Sequence, residues 1–304
     1  MLLTLRIVSG GAKMGVAWVL ISALFFSLGS FFGKVVTSTT DMSGVISSFS
    51  RFFIGAVMMF IYIIATKRSF KPNDFKPILT RGVFNGFEVI LMTGALNYTT
   101  MTNANMLNMI YPVLVILFAP ILLKEMIKKS TYVYLAAIML GSYIIVNPSF
   151  GNINRGDLMG ILSALAASIS AISLKEANNK NEWHIIVFYV MLIGTIINIP
   201  FSLEYIINFD DSALIYVILS GFMGFSAQIF LTAGYKHVDS ATGALVSTSR
   251  IVISAILGIV LLSEPLDLRI VIGMILIGGS LVGVSEFFSK KRKLATPDGK
   301  EEEE

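Results

Sequence analysis

The 304-residue chain contains no cysteine, only two histidines and two tryptophans, and only 14% charged residues. Without cysteine there can be no disulfide, no thiolate nucleophile and no Cys-ligated metal. His184 and His237 lie far apart near the ends of apolar runs, which argues against a haem, zinc or redox centre. Soluble domains carry about a quarter charged residues, so this chain has too few to cover a globular surface. What it has instead is 55% hydrophobic residues and a mean hydropathy of +0.79. Its apolar runs recur at about 18 to 23 residues, each long enough to cross ~30 Å of hydrocarbon. The expectation is an all-α integral membrane protein. The apolar run from Gly15 is too long for a cleavable signal and lacks a small-residue cleavage site. A net charge of +4 and a pI near 9.1 fit basic cytoplasmic loops rather than nucleic-acid binding.

Ten transmembrane helices are predicted, at roughly 16–37, 44–66, 78–98, 103–123, 131–147, 157–176, 184–203, 212–234, 240–262 and 269–288. Short connections carry breakers, among them "KPNDFKP" (Lys71–Pro77), "NPSFGN" (Asn147–Asn152) and Pro265. With the N-terminus inside, almost all loop lysines and arginines fall on the cytoplasmic side, leaving only Arg155 and Arg269 outside. Both termini are therefore expected in the cytoplasm, and the basic-acidic tail 289–304 is expected to be disordered.

A repeat runs through the chain. "SALFFSLGSFFGK" (Ser22–Lys34) aligns without gaps on "SALAASISAISLK" (Ser163–Lys175), and "RGVFNGFEVILMTGA" (Arg81–Ala95) on "SGFMGFSAQIFLTAG" (Ser220–Gly234). Phe49 and Gly55 then fall on Phe188 and Gly194, and Glu125 on Glu264, all at offsets of 139 to 141 residues. The predicted organisation is a cytoplasmic N-terminus at 1–15, a five-helix repeat at 16–147 and a second at 157–288. Five is odd, so the second repeat enters the membrane inverted. Such repeats characterise secondary transporters with a site near the midplane.

These residues resemble the drug/metabolite transporter superfamily, most nearly its EamA-type bacterial branch. The resemblance is carried by "GALNYTTMTNANMLNMIYPVLVILFAPILLKE" (Gly94–Glu125), its counterpart "AGYKHVDSATGALVSTSRIVISAILGIVLLSEP" (Ala233–Pro265) and the glycine-rich "GMILIGGSLVGV" (Gly273–Val284). The second half departs at Arg250-Ile251, where the first has Tyr111-Pro112. The resemblance implies transport in a bacterial inner membrane and leaves the substrate open.

Arg250 is the charge that most needs explaining. A charge at a helix centre costs roughly 2.5–3.5 kcal/mol on insertion scales, so the guanidinium is expected to face the bundle interior. There it either meets a substrate or pairs with Glu88, an acid in the middle of the third segment with Asn85 one turn back. Glu88 could instead couple protons or bind a substrate ammonium. Asn105, Asn108 and Tyr111 share a face of the fourth helix. Their repeat mates include Ser247 and Arg250, and Gln228 adjoins the mate of Glu88. These residues, with Arg51, form the candidate substrate site; interhelical hydrogen bonding is the structural alternative. Lys34 and Lys175 read as gates or anchors, Arg81 as an anchor near the cytoplasmic surface, and Trp18 and Trp183 as interface or packing residues. No metal or catalytic constellation is expected. The partners are the bilayer and a small solute, without a cofactor, in a monomer or homodimer. The reading is a secondary active transporter of an amino acid, related zwitterion or organic anion, coupled to a proton or solute gradient. An exporter of drugs or nucleotide-type metabolites on the same fold is the alternative; an enzyme or channel fits less well.

Overall fold

The structure, a computed structural model, describes residues 2–95, 98, 107–146, 154–262 and 267–284, without the side chains of residues 2–10, 93, 146 and 262. Asn97, Asn105, Glu264, Pro265, the connection 147–153 and the tail 289–304 lie outside these residues. The described residues form helices, with no strand among them: α1 (Leu2–Thr39), α2 (Gly44–Ala65), α3 (Phe75–Ala95), α4 (Tyr111–Leu123), α5 (Lys129–Val146), α6 (Arg155–Lys180), α7 (Trp183–Ile207), α8 (Leu214–Tyr235), α9 (Ser240–Ser247), α10 (Ser249–Leu262) and α11 (Leu268–Val284). Six stretches are long and apolar enough to cross a membrane: Gly11–Thr39, Gly44–Ala65, Arg155–Lys180, Trp183–Ile207, Asp211–Tyr235 and Ser240–Leu261. The chain is thus a multi-pass membrane protein, and hydrocarbon leaves it little choice but helix, since every backbone polar group must be satisfied internally.

Local chemistry sets the helix ends. The Ser43 hydroxyl accepts from the Val45 N–H at the start of α2, and Asn154 and Asp157 form a reciprocal capping box on α6. The Asp239 carboxylate caps α9 by accepting from the Thr242 N–H at 2.7 Å. At the far ends of α2 and α4, Lys67 and Lys124 stop the chain with φ of 53° and 55°. Several helices run past the predicted bounds: α1 begins well before residue 16, α3 begins at Phe75, α6 continues to Lys180 and α7 to Ile207.

One prediction is corrected. The segment 240–262 is not one helix but is broken at Thr248 between α9 and α10. Ser247, Thr248 and Ser249 stand in a row there, and hydroxyls that bond back to carbonyls one turn earlier loosen a helix. The Ser247 hydroxyl donates to the Gly243 carbonyl, and that of Thr248 to Leu245. The backbone tightens to three-residue spacing, Thr248 N–H to Leu245 and Ile251 N–H to Thr248. The same spacing occurs before α4, where the Ile110 N–H donates to Leu107 and that of Val113 to Ile110. Pro112 has no N–H to offer the Asn108 carbonyl at that point.

The two halves pack by reciprocal pairing. The most extensive contacts are α1 with α8, α3 with α6, α2 with α7, and α5 with α11. Small residues permit these approaches. A Cβ on Gly55 would meet Met191, and one on Gly194 would meet the Phe52 ring, so α2 and α7 run antiparallel. Gly82 faces Ile193 while Gly221 faces Ile54, and Gly94 faces Met159 while Gly234 faces Val19. Gly141 lies on Gly273, and Gly283 on Tyr134, so α5 and α11 are antiparallel as well. Of the six long apolar stretches, the serine- and alanine-rich α6 is the most enclosed and α2 the least. Trp18 stacks on Phe230 at 5.4 Å and Trp183 packs on Tyr62 at 5.5 Å.

Candidate functional site

Inside the bundle lies a cavity of about 180 Å³ walled by α1, α2, α3, α4, α6, α8, α9 and α10. Its charged lining is three arginines and one carboxylate: Arg51, Arg81, Arg250 and Glu88. Asn85, Gln228, Tyr111 and Ser247 complete most of the polar wall among the predicted residues. Asn108 stands just behind it. Its amide donates to the Ser163 hydroxyl at 2.9 Å and its carbonyl oxygen accepts from Arg250 Nη2 at 3.5 Å.

Each wall is built by its helix. On α3, Arg81, Asn85 and Glu88 fall at i, i+4 and i+7, one face of the helix. On α10, Arg250 sits in the first turn after the break, its carbonyl accepting from the Ser27 hydroxyl of α1 at 3.2 Å. Ser27 accepts in turn from Ser254 at 3.1 Å, which ties α1 to α10 beside the site. The Arg250 guanidinium lies 5.8 Å from the Tyr111 ring centroid, and that of Arg51 lies 4.5 Å from the Phe52 ring. The phenol of Tyr111 donates to the Ala244 carbonyl at 3.0 Å.

Arg81 is misplaced by the sequence reading. It is no surface anchor: it is 4% exposed, and its Nη1 donates to the Ser170 hydroxyl while Nη2 reaches Gln228 Oε1 at 3.5 Å. Gly82 and Gly86 let α7 close against α3 through Ile193 and Ile197, which carries Arg81 inward. Its spacing from Asn85 and Glu88 was the available signal. Ser22, Ser27, Ser254 and Tyr235 also line the cavity and were not singled out, because lone hydroxyls in apolar helices are too common to signal a site.

A predicted alternative also fails. Among the described residues, no ion pair joins Glu88 to Arg250, Arg51 or Arg81; the Glu88 carboxylate accepts from Asn85 Nδ2 at 3.3 Å. Several buried polar atoms of the lining have no hydrogen-bond partner: Arg51 Nε and Nη2, Arg81 Nε, Gln228 Nε2 and Asn85 Oδ1. Leaving such groups unmatched costs about 1–3 kcal/mol each, more when charged. The unmatched atoms are N–H donors except for Asn85 Oδ1, an acceptor.

The cavity adjoins a vestibule at one end of the bundle. Phe26, Ser30 and Arg51 line both it and a vestibule of about 790 Å³. The vestibule is bordered by Lys34 and Thr37 near the end of α1, by the start of α2, and by Glu204 and Tyr205 near the end of α7. At the opposite end side chains lace the helices together, within the second half and, through Glu125, between the halves. Lys175 Nζ donates to the Tyr235 carbonyl at 3.1 Å and Asn178 Nδ2 to that of Thr232 at 3.0 Å. The Glu125 carboxylate accepts from the Ser240 N–H at 3.0 Å and from its hydroxyl at 3.1 Å. Burial pushes the Glu125 carboxyl above the usual range, against the lowering pull of those Ser240 bonds. Among the described residues no cluster of His, Cys, Asp or Glu could hold a metal ion.

Known proteins place this geometry in context. The model of the EamA-like transporter family matches residues 13–147 and again 154–286. A Helicobacter pylori protein described as an uncharacterized transporter is 25% identical over 92% of this chain and 98% of its own length. The pseudopaline exporter CntI of Pseudomonas aeruginosa is 23% identical over 90% of this chain and 96% of its own. An S-adenosylmethionine uptake transporter of Rickettsia prowazekii is 22% identical, covering 93% and 95%. A solved crystal structure shares the fold with a TM-score of 0.74 at 16% identity, covering 90% of this chain and 96% of that one.

Proposed function

Because the chain belongs to the EamA-like transporter family, whose named relatives are transporters and not enzymes, we propose that it is a secondary active transporter. It carries a small organic anion or zwitterion across the cytoplasmic membrane by alternating access, with the solute held in the arginine-lined cavity. The observation that carries this reading is a buried polar cavity that shares its lining with a wide vestibule at one end, while hydrogen bonds lace the helices together at the other. A channel has an open path at both ends. A carrier exposes its site to one side at a time.

The inverted arrangement has specific support. Elements related by the 139-residue offset meet each other antiparallel, Gly55 on Met191 and Gly194 on Phe52. The offset also exchanges the α1–α8 pairing with the α3–α6 pairing, Gly234 on Val19 with Gly94 on Met159. Discontinuous backbone just before Tyr111 and before Arg250 flanks the cavity at matched positions, as in other inverted-repeat carriers. With both termini in the cytoplasm, the laced end around Lys175 and Glu125 is cytoplasmic and the vestibule faces outward. The cycle then opens the laced end while closing the vestibule around Lys34, the repeat mate of Lys175.

The natural absence of cysteine makes the test direct. Single cysteines at Ser48 in the vestibule and at Asn178 in the laced end would be labelled with a membrane-impermeant thiol reagent in proteoliposomes of fixed orientation. Transported solute is expected to change the two labelling rates in opposite directions. Rates that rise together would indicate a channel and end the carrier reading.

A further inference from the structure

We propose that the solute is a dianion, one small molecule carrying two negative charges as a dicarboxylate or a phosphate monoester, clasped between Arg51, Arg81 and Arg250. This rests on the cavity being the transport site.

Charge selects the class. Three guanidiniums and one carboxylate line the cavity, and arginine stays protonated at any physiological pH. Counted at formal charges, three arginines and one glutamate give the wall two net positive charges. A zwitterion leaves both uncompensated and a monoanion leaves one, and an uncompensated buried charge is heavily penalised. A dianion neutralises the site.

The donors are also divided between walls. Arg81 Nε on α3 and Gln228 Nε2 on α8 are unpartnered, and their residues are 4% and 2% exposed. Arg51 contributes unpartnered Nε and Nη2 from α2. Arg250 enters from α10, where its Nη2 reaches Asn108 Oδ1 at 3.5 Å. Guanidiniums match carboxylate and phosphate oxygens with paired N–H groups, and guanidiniums on separate helices suit the two ends of a dicarboxylate or the several oxygens of one phosphate. Asn85 Oδ1 is an unpartnered acceptor in the same wall, in a residue 7% exposed. It fits a hydroxyl on the body of the solute, because Asn85 has already given its amide to Glu88. Arg51 borders the vestibule too, so the charge that binds the anion also attracts it to the entrance.

The test uses the full chain, in detergent for thermal-shift titrations and in proteoliposomes for counterflow. The probes are succinate, glycerol 3-phosphate, lactate and alanine. At least one dianion is expected to bind tenfold or more tightly than lactate or alanine, and to drive counterflow; which one binds separates carboxylate from phosphate recognition. Arg51→Gln and Arg81→Gln are each expected to weaken that binding at least tenfold and to shrink the preference over lactate. Arg81→Lys should restore part of it. If Arg81→Gln does not yield folded protein, Arg250→Gln replaces it. Counterflow of lactate or alanine with no dianion preference overturns the dianion and leaves the transporter intact, as does a preference that survives the arginine variants. The absence of any shift with both dianions also counts against the proposal. Dianion binding without counterflow of any probe overturns the transport reading instead.

Discussion

Gly224 on α8 offers the sharpest way to perturb the site without touching a charge. A Cβ there would lie 2.4 Å from Arg51 Cδ and 2.7 Å from its Cγ. Carbon atoms rest about 3.5–4.0 Å apart, so in Gly224→Ala the arginine stem must retreat by roughly 1 Å or more. Two stability terms oppose each other. Alanine gains about 0.5–1 kcal/mol over glycine in a helix, and overpacking costs about 1–3 kcal/mol. The net loss is at most about 2.5 kcal/mol, and the space around the stem keeps it toward the low end. Function has no such compensation. A charge-assisted hydrogen bond to the solute is worth about 1.5–3 kcal/mol, or about 10- to 150-fold in Kd. Gly224→Ala is therefore expected to weaken binding of the best probe solute at least tenfold in thermal-shift titration, while the folded yield holds. Gly278→Ala, where a Cβ would meet nothing within 4 Å, is the control and is expected to bind as wild type. Binding within twofold of wild type in Gly224→Ala would refute the idea that this glycine sets the position of Arg51.

Three further outcomes follow from the packing and the laced end. Gly194→Ala drives a Cβ to 2.2 Å from the fully buried Phe52 ring, whereas at its repeat mate Gly55→Ala the Cβ meets the unbranched Met191 side chain at 2.6 Å and the Phe225 ring edge at 2.9 Å. Thermal melts are expected to show a loss at Gly194 larger than at Gly55 by about 1–2 kcal/mol. Removing the Lys175 ammonium in Lys175→Met frees the Tyr235 carbonyl and is expected to raise thiol labelling of a cysteine at Asn178; unchanged labelling would exclude Lys175 from the closure. For Glu125, burial raises the carboxyl pKa above its ordinary 4.5. The folded protein then holds a proton that the unfolded chain has released, so this contribution is fully present below about pH 4.5 and is lost as pH rises through the raised value. Melting temperature followed from pH 4 to pH 7 is expected to fall less steeply in Glu125→Gln than in wild type, and equal slopes would refute the assignment.

Much of this was legible before any coordinates. Arg250 and Glu88 stand out because a charge deep in an apolar run must find water, a partner or a ligand, and both line the cavity. The repeat could be read because Ser22–Lys34 and Ser163–Lys175 keep register over a whole helix. Arg81 was missed because six residues from a helix start lies within snorkelling reach, and only the approach of α7 at Gly82 and Gly86 turns it inward. Whether Arg250 pairs with Glu88 was equally out of reach. Spacing places both at similar depth, but the rotation of α3 against α10 is set by packing between distant segments. The break at Thr248 was present in the run Ser247-Thr248-Ser249 but was hidden by the apolar residues on either side.

The reciprocal packing of the two halves holds at the glycines but not at the charges. Arg51, Arg81 and Arg250 have Val190, Ser220 and Tyr111 as their repeat mates. A scaffold that exchanges its halves returns a similar outline, with the basic groups now leaning on a different set of neighbours. Under the proposed alternating access, the inward and outward forms would be partners in shape and strangers in electrostatics. The proposed carrier would then have a resting preference written into its side chains, and a solute that neutralises the arginines would change that preference each time it enters or leaves.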